Sequence, residues 1–128
     1  MSRKEIIKYW IESSDSNAIT MNNLFKSKDY DWSLFIGHLV IEKLLKAYYI
    51  KSVDENYPLI HDLLRLAERG GLNLTNEQKD LLDEVSGFNI RVRYDDYKRE
   101  FHKKCTADFT KGYIDKIEDF RKWIKKKF

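Results

Sequence analysis

Apolar residues recur along this chain with the period of an α-helix almost from end to end. Over residues 3–27, Ile6, Ile7, Trp10, Ile11, Ala18, Met21, Leu24 and Phe25 keep helical spacing and predict a first helix. Lys28-Asp29 reads as a short connection, with Asp29 or Asp31 available as the next N-cap. A central helix follows over 31–51. Leu39, Val40, Ile41, Leu44, Leu45 and Tyr48 fill most of its circumference, which predicts burial on most sides. It also carries a polar stripe. His38, Glu42 and Lys46 fall at i, i+4 and i+8, so Glu42 can pair with either neighbour. Gly37 inside this helix costs about 1 kcal/mol against alanine, which points to a close helix–helix approach.

Residues 52–58 form a polar loop in this reading. A third helix is expected over 59–69, entered at Pro58 and ended by Gly70-Gly71. Thr75 and Gln78 have the spacing of a capping box and open a fourth helix, which Gly87 is expected to interrupt. Residues 88–102 are the least regular stretch, dense in Arg, Tyr and Asp. A last helix over 106–126 carries Phe109, Tyr113, Ile114, Ile117, Phe120 and Ile124 on one stripe. No strand alternation and no internal repeat is present. Long helices joined by a short turn lie antiparallel. The expectation is a single all-α domain over 1–128, an up-and-down bundle of four to five helices.

Composition narrows the class. With 128 residues, 42% hydrophobic and 14% aromatic, the chain can bury a core and is not disordered. The single Cys105 excludes an internal disulfide framework and fits a reducing cytosol. No apolar run is long enough for a membrane span, and the polar N-terminus lacks a signal-peptide pattern. A cytoplasmic protein with no membrane contact is expected. The net charge of +3 hides an asymmetry: residues 1–97 carry 13 basic and 16 acidic side chains, residues 98–128 carry 11 and 5. The basic end either attracts an anionic partner such as RNA or is a solvated lysine-rich helix end that suits the helix dipole.

Candidate chemistry is sparse. His38, His61 and His102 belong to no Cys/His ligand spacing, and no HExxH or Gly-rich phosphate loop occurs. No metal and no cofactor is expected. Cys105 has Lys103 and Lys104 beside it but reads as an ordinary thiol. His38 with Glu42 is either an acid–base pair or a buried polar pair that fixes packing. His61-Asp62 reads as a loop anchor, with Asp62 favouring the helix dipole. The segment 89–102 holds Arg91, Arg93, Arg99, Tyr94, Tyr97 and His102. Arginine offers a planar fork to phosphate, and tyrosine stacks on a base. An Arg with a nearby His also makes a metal-free ribonuclease site, His102 as general acid or base and Arg93 on the phosphate. The alternative is a charged surface loop whose arginines pair with Asp95 and Asp96.

Three segments together resemble the HEPN family of small helical domains. They are His38-x-x-x-Glu42-Lys43-x-x-Lys46-Ala47, His61-Asp62-Leu63-Leu64, and Phe88-Asn89 followed by Arg93-Tyr94-Asp95. The resemblance implies a four- or five-helix bundle, commonly a homodimer, linked to nucleotides or RNA. It implies metal-independent endoribonuclease activity in many members, often as toxins, with Arg and His at a short spacing. Many are encoded beside a nucleotidyltransferase that acts as antitoxin and in some cases modifies a tyrosine near the motif. This chain departs from the nuclease spacing: eight residues separate Arg93 from His102, and two separate Arg99 from His102. The family's Arg-Tyr-Pro-Asp also lacks its proline, since Tyr94 runs straight into Asp95. Five residues separate Arg91 from Tyr97, similar to the Arg-and-Tyr variant of nucleotidyltransferase-paired members.

Three readings follow. The first is a nucleotide- or RNA-linked binding module working with a second copy and a nucleotidyltransferase, its site Arg91, Arg93, Tyr94 and Tyr97 supported by His38 and Glu42. The second is a metal-independent RNase using His102 and Arg93. The third is a structural dimerisation module with no ligand.

Overall fold

Lys28, in the left-handed region at φ 68°, and Asp29, whose N–H donates to Leu24 O, reverse the chain after α1 (Arg3–Lys26). That turn lays α1 antiparallel on α2 (Tyr30–Ser52). Small side chains let the two helices approach closely. Ser14 and Ser33 are fully buried, and each hydroxyl donates across the interface, to Val40 O at 2.7 Å and to Met21 O at 2.8 Å. A computed structural model describes all residues 1–128, and its remaining elements are α3 (Leu63–Arg69), α4 (Asn76–Arg93), α5 (Glu100–Lys104) and α6 (Ala107–Lys125). The architecture is all-α: four long helices bundled up and down, with the two short ones closing one side.

α2 touches every other helix, which explains a sequence apolar nearly all round. α6 crosses it at Gly37, where an added Cβ would meet Ile117 Cδ1 at 2.7 Å and Met21 Sδ at 3.1 Å. The close approach expected at Gly37 is therefore real. α1 and α6 are also tied through Asp15, which accepts from Arg121 Nη2 at 2.9 Å and Lys125 Nζ at 2.6 Å. Partial burial acts to raise the Asp15 carboxyl, but these two cations outweigh it and hold the group below its ordinary value.

Two boundaries differ from the sequence reading. α3 begins at Leu63 rather than residue 59. Asp62 is its N-cap, accepting from Arg65 N–H at 3.1 Å, and the segment before it is held by contacts distant in sequence, Tyr57 on Trp10 and His61 on Glu42. Gly87 does not interrupt α4. Leu81, Leu82, Val85, Phe88, Asn89 and Val92 continue one buried stripe straight through it to Arg93. A glycine costs a helix about 1 kcal/mol, and an unbroken apolar face outweighs that. The Thr75–Gln78 capping box is present with both of its hydrogen bonds. No helix is long and apolar enough to cross a membrane.

Candidate functional site

The polar stripe of α2 is longer than its three central residues. Asp31, Phe35, His38, Glu42 and Lys46 follow one another along a single face. Over it lie the C-terminal end of α4, the short α5, and the extended segment 53–62 that leads into α3. Each of these delivers one cationic or titratable side chain to the stripe.

At the N-terminal end, α5 delivers His102. Its Nδ1 lies 3.0 Å from Asp31 Oδ2. A carboxylate only accepts, so Nδ1 carries the proton and Nε2 is the ring nitrogen left for another partner. Asp31 is nearly buried, and its other oxygen accepts from the Trp32 N–H at 3.0 Å. The imidazole is thus oriented by a carboxylate that is itself held in place, while 46% of its side chain stays accessible. One turn along, α4 delivers Arg93. Its Nε donates to Asn89 O at 2.9 Å, and its guanidinium carbon lies 5.5 Å from the Phe35 ring and 5.3 Å from the Tyr94 ring. No carboxylate pairs with Arg93. An exposed guanidinium resting on two aromatic faces is preorganised for an anion.

His38 lies beneath, 1% exposed and stacked under Phe35 with 6.3 Å between ring centroids. Neither ring nitrogen has a partner. Burial pushes its pKa down. The Glu42 charge opposes this, while His61, Arg93 and Lys46 push it down further, so the ring is neutral at neutral pH. Glu42, 5% exposed, does not bond His38. Its Oε1 faces His61 Nδ1 at 3.2 Å and its Oε2 faces Lys46 Nζ at 3.8 Å.

The residues named from sequence divide into two groups. Arg93, Tyr94, His102, His38 and Glu42 all belong to the stripe or its cover. Arg91 does not. Two residues before Arg93 on the same helix, it points the other way, folding over the Phe88 and Phe101 rings at 5.6 and 5.2 Å and reaching Glu84 at 3.4 Å. There it borders a separate groove of about 680 Å³ that Tyr94, Lys103 and Lys104 also line. Tyr97 is 90% exposed on the turn before α5, with Lys98 over its ring. Cys105 is buried, and burial with the Asp31 and Asp95 charges pushes its thiol up to about 12, so it is no nucleophile. No group of three or more His, Cys, Asp or Glu stands together as a metal site.

Sequence reasoning missed Asp31 as the partner of His102, Phe35 as the platform of Arg93, and His61 as a partner of Glu42. The helical spacing was available for the first two: stepping back from His38 along its own face reaches Phe35 at i−3 and then Asp31 at i−7. Nothing in the sequence announces that His61 folds back on Glu42.

A profile of the HEPN domain matches residues 7–127 and so takes in every residue of the stripe and its cover. Searches of curated proteins and of solved structures give no significant match. With nearly the whole chain matched, and matched to a helical module of the RNase-like, nucleotide-associated kind, the protein belongs to the HEPN domain family.

Proposed function

We propose that the protein is a binding module for a phosphate-bearing ligand, a nucleotide or RNA, held at Arg93 on the α2 stripe. The observation that carries this reading is the Arg93 guanidinium, exposed, free of any carboxylate, and seated between Phe35 and Tyr94. Such a fork takes two phosphate oxygens while a base stacks on the tyrosine. Partnership with a nucleotidyltransferase in a toxin–antitoxin pair belongs to the same proposal. Tyr94 and Tyr97, 72% and 90% exposed, are tyrosines such an enzyme can reach. A second copy of the chain would cover exposed Trp32, Ile90 and Tyr94, apolar surface that borders Arg93.

A metal-independent endoribonuclease is the second reading, and the Asp31–His102 pair favours it. An imidazole held by a carboxylate can take the 2′-hydroxyl proton or protonate the leaving oxygen. One experiment addresses both readings. Wild type, Arg93→Ala and Asp31→Asn are titrated with ATP and a short single-stranded RNA, then incubated with RNA in EDTA. Arg93→Ala is expected to weaken binding at least tenfold, as loss of a charge-assisted contact of about 1.5–3 kcal/mol requires. Unchanged affinity sinks the binding reading. Cleavage by wild type that Asp31→Asn loses selects the nuclease. A dimeric protein that neither binds nor cleaves is the structural module.

A further inference from the structure

Arg93 and His102 use only half of the stripe. At its other end Glu42 organises a second group. His61 Nδ1 lies 3.2 Å from Glu42 Oε1, which leaves Nε2 as the free ring nitrogen, and 76% of the His61 side chain is accessible. The His61 backbone is fixed on its C-terminal side. Asp62 beside it caps α3, and the next N–H, on Leu63, donates to Ser86 Oγ at 2.9 Å. Lys46 completes the group, its ammonium 5.2 Å from the Trp10 ring and 5.1 Å from the Tyr57 ring. Two independent segments, one from α5 and one before α3, thus each deliver an exposed histidine to a nearly buried carboxylate of α2.

The spacing of the two pairs carries the argument. Asp31 and Glu42 are eleven residues apart on one helix, three full turns on one face, or about 16 Å. Arg93 sits over Phe35, between them. Beneath that interval lies His38, with both ring nitrogens buried and unpartnered and with the charges of Arg93 and His61 both acting on it. Three side chains able to contact phosphate therefore stand in line along α2: Arg93, and His102 and His61 as doubly protonated rings, whose Nδ1–H bonds the carboxylate while Nε2–H is free for a phosphate oxygen. One compact phosphate cannot meet all three, whereas an extended chain of phosphates meets them in turn.

We propose that the Glu42–His61 pair is a distal phosphate-contacting subsite, and that the ligand is single-stranded nucleic acid laid along α2 from His61 past Arg93 to His102. This rests on Arg93 being the phosphate clamp. The competing role for His61, anchoring the 53–62 segment, affects stability but not the dependence of affinity on ligand length.

The test uses fluorescence anisotropy with 2′-O-methyl oligouridylates, which resist cleavage, as a dinucleotide and as an octamer. Wild type is expected to bind the octamer at least tenfold more tightly. His61→Ala should lower octamer affinity about tenfold and leave dinucleotide affinity within twofold. His61→Gln keeps a donor for Glu42 without the ring and should show the same length-dependent loss if the alanine variant folds poorly. Arg93→Ala should weaken both ligands. Equal affinity of wild type for the two lengths, or a His61 substitution that leaves octamer binding intact while Arg93→Ala still abolishes it, overturns the track and leaves the Arg93 reading standing. If Arg93→Ala changes neither affinity, both fall.

Discussion

A histidine with two unpartnered nitrogens in a helix core is an expensive choice, and His38 shows what it does to the protein. Its pKa is lowered in the fold, so between that value and the ordinary 6.5 the unfolded chain binds a proton that the native state refuses. Stability must therefore fall as the pH drops below about 6.5, and the loss levels off once the folded group also protonates. His38→Leu removes both the titration and the unsatisfied nitrogens. The variant should be at least as stable as wild type at neutral pH, with its melting temperature gaining on wild type as the pH is lowered from about 7.5 to 5. Parallel melting curves for the two proteins would show that His38 finds a partner in solution. At this scale the sequence was half legible. His38, Glu42, Arg93, Tyr94 and His102 stand out by residue type, and all five meet on one face. Arg91 stood out equally and lies elsewhere, because residues two apart on a helix point nearly opposite ways. That separation becomes visible only once α4 is known to continue past Gly87.

The two helical glycines look alike in sequence and do opposite things. At Gly37 an added methyl would meet Ile117, which is fully buried, and Met21, so it has nowhere to go. Overpacking of about 2 kcal/mol, offset by about 1 kcal/mol of helix propensity, leaves Gly37→Ala destabilised by about 1 kcal/mol. Adding Ile117→Val should return most of it. At Gly87 the same methyl would fall 2.3 Å from Arg91 Nη2, the free end of a flexible side chain. Arg91 can swing away, losing its ring contacts and its half-exposed pairing with Glu84 while the helix gains propensity, so Gly87→Ala should change stability by less than about 0.5 kcal/mol. Urea unfolding of both variants checks the pair, and equal effects would contradict the packing assigned to α2 and α6. Helices α1, α2 and α6 were legible because their apolar period is long and unbroken. The start of α3 was not, because the segment before it is held by contacts distant in sequence, Tyr57 on Trp10 and His61 on Glu42.

Charge is the property of the whole molecule that bears most directly on the proposed ligand. The excess of basic residues over 98–128 suggests a C-terminal surface that draws in RNA. Folding redirects part of it: Arg121 and Lys125 turn inward to Asp15 on α1, and Lys111 pairs with Asp115. Exposed cations remain on α6 and just beyond it, Lys122 and Lys126 among them, but no aromatic platform or oriented imidazole accompanies those two. Attraction by unorganised lysines and contact at an organised site have different salt responses. Each phosphate contact on a single strand contributes about 0.7 to the slope of log K against log salt. Arg93→Ala should therefore flatten the slope for single-stranded RNA by about 0.7 while costing most of the affinity. The double substitution Lys122→Ala and Lys126→Ala should leave the slope nearly unchanged, because these side chains at most steer the encounter. If the lysine pair accounts for the slope and Arg93 does not, the anionic partner binds α6, and the stripe on α2 is core polarity rather than a site.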